Sequence, residues 1–161
     1  MTNVKWLSAV TVLDHAFDGY QQEHSYRLRT DEGDDGIPLT RMLPRALMAP
    51  PGIPEFLTRE RALAPGEHVL EGRAWSGHAA IASVEVSVDD GATWEPAELS
   101  REPDSPWAWC SWTYSWSAAP GRYTLSCRAT DEAGNAQPPE PGWNLGGYAN
   151  NSPQQVVVTV R

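Results

Sequence analysis

From Gly66 onward the chain alternates apolar and polar residues in short bursts divided by Gly, Pro, Asp and Asn. Six segments carry the two-residue period of a strand: GEHVLEGRAWSG, IASVEVSVDD, ATWEPAEL, WAWCSWTYSW, GRYTLSCRATD and QQVVVTV. In SVEVSVDDGATW, Val84, Val86 and Val88 alternate with Glu85, Ser87 and Asp89, and Asp-Asp-Gly supplies a tight turn back to Trp94, which predicts a hairpin. GRYTLSCRATD places Tyr123, Leu125, Cys127 and Ala129 on one face, so Cys127 reads as a small core residue rather than a reactive thiol. No stretch holds apolar residues at helical spacing for three turns. The expectation is an all-β chain whose residues 65–161 form a two-sheet sandwich.

The first 64 residues follow a different pattern. Val4, Trp6 and Leu7 lead directly into Val10, Val12 and Leu13, a polar turn follows around Asp14 to Gly19, and YQQEHSYRLR alternates again. Residues 3–30 therefore read as strands, and residues 1–30 as a fragment of a larger unit. In residues 31–64, DEGDDG precedes a segment in which Pro38, Pro44, Pro50, Pro51 and Pro54 forbid long regular structure, predicting an extended connecting arm. Within it, MAPPGIP reads as a rigid spacer rather than a polyproline ligand.

Four of the eight tryptophans lie in WAWCSWTYSW. Trp107 and Trp109 share one parity and Trp112 and Trp116 the other, so an unbroken strand sends the pairs to opposite faces. One face is then core. The other meets a second surface, which the arm, a further domain or another subunit could provide; the alternative is a bulge that turns all four rings inward.

Charge removes whole classes of partner. A formal net charge of -9 repels nucleic-acid phosphates and anionic membranes. With neither an apolar run of membrane-spanning length nor a basic leader pattern in these residues, the expectation is a soluble, cytoplasmic chain. Cys110 and Cys127 fit neither a disulfide scaffold nor a zinc site and form at most one bridge. His15, His24, His68 and His78 are scattered, so no metal site is expected. Asp34 and Asp35 suit a solvated linker better than a calcium loop, and Glu95, Glu98 and Glu102 do not define an acid/base pocket. SVDDGATW matches the Asp-box hairpin, a structural turn lock; a propeller would need several copies.

Taken in order from Val4 to Val160, the stretches NVKWL, GRAWSGHAAIASVEVSVDDGATW, WAW, CRATDEAGNAQP and WNLGG resemble the C-terminal portion of sulfite-oxidase-type molybdenum enzymes. The resemblance covers the end of the molybdopterin-binding domain, then the Mo-co oxidoreductase dimerisation domain. It implies that residues 1–30 are a remnant of the former, and that residues 65–161 form an immunoglobulin-like, E-set-type sandwich that pairs with its twin in a homodimer. It implies a molybdenum-molybdopterin cofactor for the full-length family. The family's molybdenum-ligating cysteine lies upstream of VKWL, so this chain alone is expected to bind no metal or cofactor and not to catalyse.

Two positions take a role from the resemblance, conditional on that upstream domain. Lys5 matches a lysine whose cation lies by the pterin, where an ammonium neutralises phosphate; by residue type alone it is a solvated strand lysine. Tyr26 falls where the family has a pocket tyrosine near the metal's oxo group, placed to hydrogen-bond an oxyanion and relay a proton; by type alone it is a half-buried strand residue. One position departs. Animal sulfite oxidases carry an arginine after the WNL triplet, whereas Gly146 stands here, removing a forked cation suited to a tetrahedral oxyanion. Related bacterial oxidoreductases acting on other small anions or sulfoxides therefore fit as well. Two other readings remain at this point: a stand-alone carbohydrate- or protein-binding module using Trp107 and Trp112 as stacking platforms, and one half of a split molybdoenzyme.

Overall fold

The structure, a computed structural model, describes residues 5–102, 105, 107–140 and 142–161. Asn3 and Val4, which head the NVKWL stretch and the first predicted strand, lie outside the described residues. The chain divides into two compact units, one running to Leu39 and including Asn144–Tyr148, the other comprising Thr40–Trp143 with Ala149–Arg161.

In the smaller unit the expectation of strands over residues 3–30 is largely overturned. Residues 5–19 form no regular element, and YQQEHSYRLR folds as a helical turn, Gln21–Ser25, followed by a two-residue strand, β1 (Arg27–Leu28), paired antiparallel with β2 (Ile37–Pro38). A strand is stabilised mainly by what covers its apolar face. Here Trp6, Val10 and Val12 are exposed, so alternation alone does not produce a ladder.

The larger unit is the sandwich. A four-stranded sheet has the order β3 (Arg45–Met48), β6 (Gly66–Trp75), β10 (Cys110–Ala118), β9 (Glu98–Ser100). A six-stranded sheet has the order β4 (Ile53–Pro54), β5 (Arg61–Leu63), β12 (Gln154–Val160), β11 (Gly121–Asp131), β7 (Ile81–Ser87), β8 (Glu95–Pro96). The two-residue period explains which side of each strand is covered. Leu70, Gly72 and Ala74 of β6 and Trp112, Trp116 and Ala118 of β10 meet Val84 and Val86 of β7, Leu125 and Cys127 of β11, and Val156 and Val158 of β12. Each fully buried aliphatic side chain contributes roughly 1.5–3 kcal/mol.

Two features of the sandwich differ from the sequence expectation. The arm is not only a spacer, because β3 adds an edge to one sheet and β5 runs parallel to β12 in the other. Pro44 and Pro50 bracket β3, so the prolines limit strand length without excluding strands. The second feature is that ATWEPAEL is two strands. β8 pairs with β7 while β9 pairs with β10, so the chain crosses between sheets at Ala97, whose N–H donates to the Val84 carbonyl at 2.9 Å.

The β7–β8 hairpin forms as expected, with Asp90 and Gly91 both at positive φ, 61° and 84°. Asp89 locks its loop. Its carboxylate accepts hydrogen bonds from the Thr93 hydroxyl (2.6 Å), the Thr93 N–H (2.9 Å) and the Ser87 hydroxyl (2.8 Å), which together hold its pKa down to about 2. Because the folded value lies below the ordinary 3.8, this stabilisation is complete above the ordinary value and is lost as pH falls toward about 2. Urea titrations of wild type and Asp89→Asn should show a midpoint gap that is widest near neutrality and closes across that acid window. A gap independent of pH would contradict the assignment.

Candidate functional site

Tyr26 is the sequence-predicted residue that the smaller unit positions most firmly. The helical turn ends on it, its N–H donating to the Gln21 carbonyl at 2.7 Å, and its carbonyl accepts the Leu39 N–H at 2.9 Å. Its half-buried ring meets Tyr148 edge-on, with centroids 5.9 Å apart and planes at 78°. Tyr148 in turn is fixed by Asn144, which accepts the Tyr148 N–H and donates to its carbonyl, both at 2.8 Å. The same turn is tied to the strand beyond Tyr26 by the Leu145 N–H, 2.9 Å from the Arg29 carbonyl.

Gly146 belongs to this cluster. A Cβ at position 146 would run into the Tyr148 ring, so an arginine there and the present tyrosine placement exclude one another. The structure thus brings Tyr26, Gly146 and Tyr148 together; Tyr148 was not identified from the sequence, where only its place two residues beyond Gly146 hinted at it. Lys5 is exposed and lies in the irregular segment ahead of the helical turn.

Acidic and sulfur side chains are committed elsewhere. Asp34 accepts the Thr30 N–H (2.9 Å), the Gly36 N–H (2.8 Å) and the Thr30 hydroxyl (3.0 Å), which lower its pKa and make it a turn lock. The Asp35 carbonyl accepts Arg27 Nε at 2.5 Å. Glu95 accepts the Tyr114 hydroxyl at 2.8 Å; burial, and then that carboxylate, raise the Tyr114 pKa. Glu98 and Glu102 are exposed. His15 sits 2.8 Å from Asp14, His24 3.8 Å from Glu23, and His68 2.8 Å from the Ala64 carbonyl, while Ser76 Oγ accepts the His78 N–H. Cys110 and Cys127 are buried free thiols, and burial pushes Cys127 up to about 12.

These residues do not fit a molybdenum site. A metal takes the thiolate, and Cys127 lies fully covered in the core, protonated at any physiological pH. Cys110 faces the same core from β10. Among the described residues no group of three His, Cys, Asp or Glu side chains converges as metal ligands.

The tryptophans separate as parity predicts. Trp112 and Trp116 are core, whereas Trp107 and Trp109 are each 64% exposed just before β10. The bulge that would turn all four inward does not occur, and a stacking platform that includes Trp112 is ruled out because that ring is 1% exposed. Trp109 stacks on Trp75 with centroids 5.5 Å apart and planes at 28°. Beside that pair, Leu47, Ala49, Glu71, Gly72 and Arg73 line a shallow cavity of about 370 Å³. No helix among the described residues is long and apolar enough to cross a membrane.

Relatives cover almost the whole chain, and a family model covers most of the larger unit. Residues 46–161 match the model of the Mo-co oxidoreductase dimerisation domain. The chain is 31% identical to the mitochondrial sulfite oxidase of Homo sapiens, over 98% of its own length and 31% of that protein. It is 26% identical to the NAD(P)H nitrate reductase of Hordeum vulgare, over 98% of its length and 20% of that protein. The chain thus spans about a third or less of the curated relatives it matches. Among solved structures, the sulfane dehydrogenase SoxCD of Paracoccus pantotrophus superposes with a TM-score of 0.70 at 24% identity, over 92% of this chain and 40% of that one, a likeness of fold. A match running from Ala46 in β3 to the last residue takes in almost every strand of both sheets, and on that basis the chain belongs to the Mo-co oxidoreductase dimerisation domain family.

Proposed function

We propose that this chain is the subunit-association module of a sulfite-oxidase-like molybdenum oxidoreductase, with the redox centre carried by polypeptide outside these 161 residues. The observation that carries this reading is the family match over residues 46–161, the residues that build the sandwich. Its supports are the two thiols, both buried in the sandwich, and the Trp75–Trp109 pair, which leaves apolar surface on the outside of the four-stranded sheet. Homodimerisation follows from the family role, since a closed two-fold pair is the commonest way for identical domains to cover such a surface.

In this proposal the smaller unit contributes a rim to a pocket completed by the molybdopterin-binding domain. Lys5 supplies a point cation for the pterin phosphate and Tyr26 a phenol for the substrate's oxygen. With Gly146 in place of an arginine, and Tyr148 held over it, the pocket is suited to a less anionic substrate than sulfite.

Titrating the purified chain with molybdopterin, and assaying redox turnover of both sulfite and a neutral sulfoxide, tests the division of labour. No saturable binding and no turnover are expected from the chain alone, and activity is expected on co-expression with a family molybdopterin-binding domain. Turnover by the isolated 161-residue chain would overturn the reading.

A further inference from the structure

The two outer faces of the sandwich handle their charges differently. On the six-stranded sheet, Arg128 Nε pairs with Glu85 at 2.8 Å while its guanidinium lies 4.2 Å over the Trp94 ring, and Arg122 pairs with Glu60. That face pairs these charges within the chain and, along β7, β11 and β12, carries mostly Thr, Ser and Gln between them, its exposed apolar side chain Ile53 lying at the edge strand β4. On the four-stranded sheet, Val69, Glu71, Arg73 and Trp75 project outward from β6, alternating with the buried Leu70, Gly72 and Ala74. Neither Glu71 nor Arg73 makes an ion pair within the chain among the described residues. Beside β6, the outward positions of β10 are Ser111, Thr113 and Ser115, short side chains that let another sheet approach closely.

We infer that a second copy of this chain docks on this face, with β6 packed antiparallel to β6 of its partner and the two-fold axis passing level with Gly72. The inference rests on the association reading above and adds the face and the register. This register gives every outward residue from Val69 to Trp75 a complementary partner, whereas an axis level with Leu70 would set Glu67 opposite Arg73 but leave Glu71 against Val69. A two-fold axis in the interface, perpendicular to β6 at Gly72, sets Glu71 opposite Arg73 of the partner subunit and Val69 opposite Trp75 of the partner subunit, twice over. Because such an axis keeps each strand over its own twin, the cross-strand register puts Thr113 opposite Ser111 of the partner subunit and Glu98 opposite Ser100 of the partner subunit, so no like charges face each other. An axis parallel to β6 would instead bring Glu71 against Glu71 and Arg73 against Arg73, which is destabilising. The cavity lined by Leu47, Gly72 and Trp75 lies at the level of the proposed axis, where the two copies would close it. Two face-packed sheets cross at about 30°, near enough to aligned for this register to hold over the few residues at the centre.

The test is charge reversal followed by sedimentation velocity on the full chain, with circular dichroism confirming that each variant folds; both positions are exposed, so the fold should survive. Glu71→Arg alone and Arg73→Glu alone should each raise the dimer dissociation constant by about ten- to a hundred-fold. Mixing the two variants should restore a dimer, because a chain with two cations then faces a chain with two anions, and the double variant E71R/R73E should dimerise like wild type. Rescue in both arms establishes the antiparallel register. Single variants that dimerise as tightly as wild type would overturn the assigned face while leaving the association role intact. A wild-type chain that stays monomeric at the highest attainable concentration would overturn the association reading itself.

Discussion

Replacing Trp112 by alanine should cost about 3–5 kcal/mol of unfolding free energy, a third or more of what a domain of this size possesses. The indole is 1% exposed and sits directly across from Gly72 in the β6–β10 register. The pairing is steric. A Cβ at Gly72 would collide with the Trp112 ring and with the Leu47 carbonyl of the neighbouring strand, so glycine here makes room for the largest side chain in the core. Gly72→Ala should therefore also destabilise, by about 1–3 kcal/mol from overpacking. The double variant should cost less than the sum of the two, because removing the indole frees part of the space the new methyl needs. Part of the Gly72 penalty remains in it, since the Leu47 carbonyl does not move away. Trp112→Phe should cost less than half as much as Trp112→Ala. The indole Nε1 is buried with no hydrogen-bond partner among the described residues, and phenylalanine removes that unsatisfied donor while keeping an aromatic ring. Urea unfolding followed by far-ultraviolet circular dichroism gives all four values; costs that add within about 0.5 kcal/mol would dissociate Gly72 from Trp112.

That pairing also shows where the sequence was readable. The parity of Trp107 and Trp109 against Trp112 and Trp116 required only the two-residue period, and the structure buries the second pair in β10 and leaves the first pair exposed just before that strand. The Asp-Asp-Gly turn was readable for the same reason, because positive φ at Asp90 and Gly91 is a local demand with a local sequence signature. Non-local pairings left no such mark. Nothing around Arg61–Leu63 indicates a parallel partner at Val158–Val160, and a β3 of four residues between prolines is too short to display a period. In residues 5–19 the pattern was present and the element was not, because alternation reports the capacity to be covered rather than the presence of a cover. Of the candidate site, Tyr26 was found by resemblance alone. Its neighbour Tyr148 comes from more than a hundred residues away, joined through the Asn144 turn, and only the fold brings them into contact. No sequence pattern marks Glu71 and Arg73; what distinguishes them is that Arg128 and Glu85 on the opposite sheet pair within the chain while, among the described residues, these two form no ion pair.

Gln137→Leu should destabilise the larger unit by about 3–5 kcal/mol, although no motif or charge singles the residue out, because it strands several buried groups at once. Gln137 is 4% exposed and joins the two sheets. Its Oε1 accepts the N–H of Ala46 in β3 at 2.5 Å and the N–H of Ala129 in β11 at 3.0 Å, and its Nε2 donates to the Asn151 carbonyl at 2.7 Å. Asn151 extends the connection, donating from Nδ2 to the Pro44 carbonyl at 3.1 Å. Leucine has nearly the volume of glutamine and none of its polar atoms, so two donors and one acceptor lose their partners in a site sealed from solvent, each at about 1–3 kcal/mol before relaxation. A local readout separates this cause from general loosening of the core. Hydrogen exchange at the Ala46 and Ala129 amides should accelerate in Gln137→Leu by more than the global loss of stability accounts for, while Leu125 and Val158, buried on the same sheet as Ala129 but away from the glutamine's hydrogen bonds, should follow the global value. Unchanged relative protection at Ala46 and Ala129, or an unfolding free energy within about 0.5 kcal/mol of wild type, would mean that Gln137 does not help hold the sheets together.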